Sequence, residues 1–332
     1  MYKTFIIAEA GSNHDKNLDQ AFSLVDAAKN AGANAVKFQI FSSNTLYSKN
    51  TPNFAGYENI NKLIQDLELP RGWLQDIKNH CDNGGIEFMA TPFDEPAVQQ
   101  LVDLGVNRIK VAGFESTDLH FVDMVASAQL PLIISAGIGC SIEGVGEIIK
   151  VCHNRQVGDI TILHCNNAYP TPQSDINLMT MVKIKDCYGS DIKVGLSDHT
   201  ESPLTPALAV ALGATTIEKH FTLSKRLAGP DHLFAIEPGE LKEMVGAIKL
   251  AEASLGEKST VYTSSEKAFS LARRSVVATR DIREGEKLDT SNITTRRPFL
   301  ENSVSADKFY EVVGKKAIKN IRKDFCLLKD EI

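Results

Sequence analysis

Glu9, Lys37, Lys110, His199 and His220 are the side chains best suited to chemistry, because each stands at or just past the end of a short apolar, β-branched run. A carboxylate such as Glu9, closing a fully apolar strand, is costly unless it has a partner or a task. A lone Lys at a strand end is ordinarily solvated or ion-paired. Lys37 and Lys110 gathered at one mouth, however, would neutralise a phosphate and a carboxylate together. Other polar residues fall at equivalent places. Gln39 ends the second run, Thr91 follows the third, Ser135 ends the fifth, and His164 and Asn167 close the sixth. Ser197 and His199 follow the seventh run and His220 follows the eighth. His199 and His220 would end adjacent strands, a few ångströms apart. Such a pair reads either as hydrogen-bonded structure or as two neutral donors for a divalent ion such as Mn²⁺, completed by oxygen ligands and water.

Two loops carry further candidates. The run Gly229-Pro-Asp-His232 is either an ordinary turn or a device that lowers the Asp231 carboxylate over the mouth to meet sugar hydroxyls. Tyr169 is either core packing or a sugar contact. There is no Gly-x-x-x-x-Gly-Lys-Ser/Thr and no Gly-x-Gly-x-x-Gly after a strand, so nucleotide hydrolysis and dinucleotide binding lack support.

The elements that must position these groups are short strands alternating with amphipathic helices over the first 255 residues. The expected strands are 4–8, 35–39, 86–90, 108–112, 132–135, 160–164, 192–196 and 215–219, dense in Ile and Val without strict polar alternation. Strands covered on both faces read this way. Leu18, Ala21, Phe22, Val25 and Ala28 share one helical face, with Gly32 as a stop. Asp94 is an expected N-cap, and another helix is expected from Ser202 with Pro203 in its first turn. Eight strand–helix units over ~250 residues predict an α/β fold, a (β/α)8 TIM barrel whose strand ends share one mouth. A doubly wound open sheet is the competitor, since strand order is invisible at this level. Residues 256–272 read as a polar linker, and a small β-rich domain is expected over 273–332. In it, Asp281-Ile-Arg-Glu-Gly-Glu-Lys-Leu is loosely echoed from Asn320 as Asn-Ile-Arg-Lys-Asp-Phe-Cys-Leu.

Bulk properties exclude several classes. Net charge is −6 with no cluster of Lys and Arg, so no nucleic-acid partner is expected and an anionic ligand must be held by local cations. No segment reaches the ~20 apolar residues a membrane span needs. The run from Met1 to Ala8 is too short for a signal peptide. The six cysteines show no Cys-x-x-Cys pair and read as buried thiols in a reducing compartment, so a cytoplasmic protein is expected.

Seven ordered motifs then carry a resemblance. Ile7-Ala-Glu-Ala-Gly-Ser-Asn-His14, Val36-Lys-Phe-Gln39, Ala90-Thr-Pro-Phe93, Leu163-His-Cys-Asn-Asn-Ala-Tyr-Pro-Thr-Pro172, Gly195-Leu-Ser-Asp-His-Thr200, Glu218-Lys-His-Phe-Thr222 and Gly229-Pro-Asp-His232 resemble the sialic acid synthase family. The tail, with Ala272-Arg-Arg-Ser275 and Arg296-Arg-Pro298, resembles the antifreeze-like (SAF) domain these enzymes carry. The resemblance implies condensation of phosphoenolpyruvate with an open-chain N-acyl hexosamine, release of phosphate, a divalent metal (Mn²⁺ first, Mg²⁺ or Co²⁺ as alternatives) and a domain-swapped homodimer. By the same resemblance, Lys37, Thr91, Lys110, Asn167 and Ser197 hold phosphoenolpyruvate, and His199 and His220 bind the metal. Glu9 is the catalytic carboxylate, Gln39, Phe93, Glu115, Tyr169 and Asp231 face the sugar, and Arg297 reaches the sugar's N-acyl end in the partner's site. Gly113 stands where relatives often have Ser, and Asp324 where Gly is usual. The rival functions are a metal-dependent aldolase using free pyruvate and a non-catalytic carbohydrate-binding protein.

Overall fold

Residues of the first eight strands alternate between two buried faces, and that alternation separates packing from chemistry. The structure, a computed structural model, describes residues 3–53, 56, 58–256 and 262–332. Met1 and Tyr2 of the expected N-terminal run, and 257–261 of the expected linker, lie outside the described residues. The chain divides into two compact units, Met1–Gly256 and Glu257–Ile332.

In the first unit the chain runs β1 (Phe5–Gly11), α1 (Leu18–Ala31), β2 (Ala35–Ile40), α2 (Ile60–Leu67), α3 (Leu74–Gly84), β3 (Glu87–Pro92), α4 (Glu95–Asp103) and β4 (Ile109–Val111). It continues through α5 (Leu119–Ala126), β5 (Leu132–Ala136), α6 (Ile142–Asn154), β6 (Ile160–Cys165), α7 (Leu178–Tyr188), β7 (Lys193–Asp198), α8 (Thr205–Ala211), β8 (Thr216–His220) and α9 (Pro238–Leu255). The strands form one parallel sheet in the order β3-β2-β1-β8-β7-β6-β5-β4. β1 pairs with β2 and also with the eighth strand, β8, while every other neighbouring pair is consecutive in the chain. First-to-last pairing of this kind closes a sheet on itself, and the result is a nearly closed (β/α)8 barrel and not an open doubly wound sheet. The hydrogen-bonded ladder is interrupted only between β3 and β4.

The outer strand face packs on the helices. Ile6, Ala8, Val36, Phe38, Ile134, Ile162 and Ile217 join Leu24, Val25, Leu101, Ile148 and Ile248 in one apolar cluster. A separate inner cluster holds Ile7, Ala35, Met89, Ile133 and Leu163, a floor of side chains filling the barrel beneath the mouth. One step of two residues above that floor the inner face turns polar, at Glu9, Lys37, Thr91 and Ser135.

Local signals act as chemistry dictates. Gly32 caps α1 in the left-handed region at φ 91, and its N–H reaches the carbonyls of Ala28 and Lys29. The Asp94 side chain accepts from the Ala97 N–H. The helix expected from Ser202 instead starts at Thr205, with Pro206 in its first turn. The Ser202 hydroxyl is spent on the Leu204 N–H in the preceding loop. Several strands also extend further than their apolar runs suggest, so Glu9, Thr91, Ser197 and His220 lie inside β1, β3, β7 and β8, not after them. Lys37 and Lys110 stand within β2 and β4 and not at their ends.

The second unit pairs β9 (Ser275–Ala278) antiparallel with β10 (Ile293–Arg296) over a small core of Val276, Ile282, Leu288, Ile293, Ile321 and Leu327. A single helical turn, α10 (Phe309–Val312), follows. The two echoing segments face each other: Ile282 and Ile321 exchange both backbone hydrogen bonds, at 2.8 and 2.9 Å. Gly285 and Asp324 occupy equivalent turns at φ 81 and 65, so in the second copy an Asp adopts the left-handed conformation that Gly takes in the first. Among the described residues no helix is long and apolar enough to cross a membrane.

Candidate active site

Four fully buried charges form the centre of the mouth. Glu9 (0% exposed), Lys37 (2%), Lys110 (1%) and Glu218 (4%) come from β1, β2, β4 and β8, each on the inner face. The Lys37 ammonium lies 2.7 Å from Glu9 Oε2 and donates to Thr91 Oγ1 at 2.9 Å. Gln39 donates to Glu9 Oε1 at 2.9 Å. Lys110 donates to Ser135 Oγ and to its neighbour's carbonyl, both at 2.7 Å. Glu218 Oε1 sits between the two ammonium groups, 3.8 Å from each, and accepts from Ser197 Oγ at 3.3 Å. Its other oxygen, Oε2, is buried with no hydrogen-bond partner.

Burial and mutual attraction compete in this quartet. Burial pushes the Glu9 carboxyl up to about 7 against the opposing pull of Lys37. Burial would lower Lys37, but the carboxylates of Glu218 and Glu9 outweigh it and hold the ammonium above its ordinary value. Burial would raise Glu218, yet Lys110 and Lys37 keep it below the ordinary carboxylate range. Lys110 is lowered by burial despite Glu218. The centre thus offers two ammonium donors, one firmly ionised carboxylate and one carboxyl poised to change protonation near neutrality, which suits an acid–base step beside a bound anion.

The two imidazoles stand at the rim of this cluster. His199 and His220 have ring centroids 5.2 Å apart, and Tyr169 covers both at 4.3 and 6.0 Å. The Asn166 carbonyl accepts from His199 Nδ1 at 2.6 Å, which leaves the lone pair on Nε2. His220 Nδ1 is buried without a hydrogen-bond partner. Burial lowers both rings, His220 strongly, so both are neutral imidazoles. Two neutral nitrogen donors, one of them orphaned, fit a divalent ion with its remaining positions open. Among the described residues no group of three or more His, Cys, Asp or Glu could hold an ion by itself, so water or substrate oxygens would have to complete the sphere.

The remaining expected residues are placed as follows. Asp231 Oδ2 accepts from Ser12 Oγ at 3.1 Å and lies against Gly11 beside the His220 ring. Glu115 keeps a buried, unpartnered Oε2, and burial raises its carboxyl to about 7 against the charge of Lys110. Phe93 packs edge-on against Phe41 at 5.8 Å, two residues beyond Thr91. Asn167 Oδ1 accepts from the Ile138 N–H at 2.8 Å, wedged where the β4, β5 and β6 loops meet. Arg297 is exposed in the second unit, one residue past β10. His164 does not face the mouth: it lies on the outer face of β6 and is tied to the Ile176 carbonyl at 2.7 Å. Cys165, its neighbour, takes the inner position, 4.0 Å from His199 Nδ1. Glu218 is the residue that sequence reasoning missed. Counting back two from His220 along one strand face would have found it.

The junction around Asn167 also explains two glycines. A Cβ on Gly113 would come within 2.9 Å of the Asn167 amide, so the space that a serine side chain would take is already filled by Asn167. A Cβ on Gly137 would overlap Asn167 Oδ1 and approach the Gly113 carbonyl oxygen and Cα to 2.6 and 2.7 Å. Backbone cannot yield as a side chain does, so Gly137→Ala is expected to destabilise the first unit by about 1–3 kcal/mol. Urea unfolding checks this, and an unchanged midpoint would show that the loops separate freely.

A barrel with this buried charged mouth defines an enzyme of the (β/α)8 class. The chain's relatives narrow the class further. The NeuB family model matches residues 24–260, and the SAF domain model matches residues 273–332. The chain is 38% identical over 336 residues to N,N'-diacetyllegionaminic acid synthase of Campylobacter jejuni, covering 98% of both chains. It is 36% identical over 338 residues to pseudaminic acid synthase of Helicobacter pylori, covering 98% of this chain and 97% of that one. The crystal structure of N-acetylneuraminic acid synthetase from Leptospira borgpetersenii superposes with a TM-score of 0.74 at 31% identity, covering 80% of this chain and 90% of that one. The chain belongs to the NeuB family and ends in a SAF domain, and it is a synthase-type enzyme.

Proposed function

We propose that the chain condenses phosphoenolpyruvate with an open-chain N-acyl hexosamine, forming a nonulosonic acid and releasing phosphate. The observation that carries this reading is the buried Lys37–Glu9–Glu218–Lys110 quartet, which offers two ammonium groups to an anion with two acidic ends and keeps a titratable carboxyl beside them. Relatives named for legionaminic, pseudaminic and neuraminic acids support a sugar-acid product.

In the proposed reaction Lys37, Thr91, Asn167 and Ser197 hold the phosphate end and Lys110 and Ser135 the carboxylate end. Carbon 3 of phosphoenolpyruvate forms a bond to the sugar aldehyde carbon, whose oxygen takes up a proton and becomes a hydroxyl. Water adds at carbon 2, and phosphate leaves with the bridging oxygen, so the ketone of the product carries the oxygen that water supplied. Glu9, 2.7 Å from Lys37, stabilises positive character at carbon 2 and takes the proton of the attacking water. His199 and His220 would hold a divalent ion, Mn²⁺ in this reading, which supplies Lewis acidity toward the aldehyde oxygen. Gln39, Phe93, Glu115, Tyr169 and Asp231 form the sugar side. Arg297 completes that side from the partner subunit of a domain-swapped homodimer. Of the six cysteines expected to be buried, Cys81, Cys152 and Cys165 are, whereas Cys140 and Cys326 are half-buried and Cys187 is exposed. A reducing, cytoplasmic setting belongs to this reading as a proposal.

Incubation with phosphoenolpyruvate, Mn²⁺ and a panel of N-acetylmannosamine, diacetamido-hexose and related acceptors is expected to release phosphate only when donor and acceptor are both present. Chelation should abolish release and Mn²⁺ should restore it. Product formed from free pyruvate, without phosphate, would replace this reading with the aldolase.

A further inference from the structure

A second buried ion pair lies behind the imidazoles, on the opposite strand face from the quartet. The Lys219 ammonium sits 2.7 Å from Asp198 Oδ2, and both side chains are at most 1% exposed. Asp198 and Lys219 are register partners in β7 and β8. Each immediately precedes one of the imidazoles: Asp198 stands before His199, and Lys219 before His220. The clamp also grips the far side of His199. Lys219 donates to the Thr200 carbonyl, while Asp198 accepts from the Thr200 N–H at 2.9 Å and from its hydroxyl at 3.1 Å. His199 is therefore the one residue between two that are both fastened to Lys219.

Alternation along a strand makes the arrangement mechanical. Side chains of successive residues point to opposite faces, so fixing Asp198 and Lys219 toward the helices fixes where His199 and His220 emerge toward the mouth. Burying two charges in apolar surroundings stabilises a fold little compared with a well-packed apolar pair. The geometric outcome is specific: it fixes the β7 and β8 ends that present two rings with centroids 5.2 Å apart.

We propose that Asp198 and Lys219 are positioning residues for the divalent-ion site, setting the spacing at which His199 and His220 share one ion. This rests on the metal reading given above. The test uses the full-length, metal-stripped protein and follows Mn²⁺ binding directly by the electron paramagnetic resonance of free Mn²⁺. Lys219→Met keeps the side chain's bulk, and Asp198→Asn keeps its shape. The double variant leaves no unpaired charge buried and so remains foldable if Lys219→Met is not. The Mn²⁺ dissociation constant is expected to rise at least about tenfold in each folded variant, the scale at which groups orienting metal ligands act. Phosphoenolpyruvate affinity measured without metal should stay within about twofold of the parent, because the quartet faces the other way. A merely structural role would move both affinities together or neither. If the parent binds Mn²⁺ and His199→Ala does not, variants that match the parent overturn the inference alone. A parent that binds no Mn²⁺ removes the metal reading and this inference with it.

Discussion

Replacing Glu9 with Gln is expected to lower the rate of phosphate release by about 10²–10⁴-fold, the range that a positioned acid–base group supplies. The substitution changes little else. Gln39 still has an oxygen to donate to, and Lys37 keeps Glu218 as a counter-charge at 3.8 Å. The Michaelis constant for phosphoenolpyruvate should accordingly shift far less than the turnover number. The pH profile supplies an independent readout. Burial raises the Glu9 carboxyl to about 7, so it holds a proton below neutrality and loses it above. A group that must accept a proton works in its ionised form, and kcat/KM of the parent should therefore rise with pH through a midpoint of about 7. That limb should vanish in Glu9→Gln. Glu115 is also raised to about 7, and Glu115→Gln should retain the limb. Parental turnover in Glu9→Gln would remove Glu9 from the chemistry.

Lys37→Met is expected to be the most damaging single change for the fold as well as for donor binding. It takes the ammonium from between Glu9 and Glu218, leaving two carboxylates in a fully buried space with Lys110 alone to balance them. Breaking a buried pair from one side costs about 3–5 kcal/mol. The sign with pH follows from proton counting. An unfolded Glu ionises near pH 4.5, whereas the buried Glu9 of the variant, already at about 7 in the parent, keeps its proton to higher pH still. The folded state then binds more protons than the unfolded one above pH 4.5, so stability falls as pH rises. Urea midpoints should separate parent and variant more at pH 8 than at pH 6. An equal gap at both would mean that Glu9 is not the group left stranded.

Much of this site was readable because polar residues interrupt β-branched runs at places where a strand has no ordinary use for them. Glu9, Lys37, Gln39, Lys110 and Ser135 stood out for that reason, and the eight runs that contain them were enough to propose a barrel. The reading weakened where a run was itself polar. Thr216-Ile-Glu-Lys-His220 was taken to end at Lys219, so Glu218 passed as strand filler and the outward Lys219 as a terminus. His164 was drawn toward the mouth for the same reason, when the alternation of β6 gives that position to Cys165. Loop partners were out of reach altogether. Nothing in the local pattern ties Asn167 to Ile138, or forbids a side chain at Gly137, because those constraints arise only when three separate loops converge. Ser202-Pro203 mimicked a helix start, yet a second proline three residues later gave the true first turn.

The interrupted ladder between β3 and β4 places Thr91 and Lys110 on opposite banks of the one gap in the hoop. Every other neighbouring pair of staves is riveted by backbone amides; here, at the foot of the gap, the Arg108 guanidinium just before β4 donates to Glu87 Oε1 at the start of β3 at 2.7 Å. A small molecule whose oxygens bridge the Thr91 hydroxyl and the Lys110 ammonium would add a second rivet, at the mouth end of the same gap. Filling the vessel and tightening its staves would then be a single event.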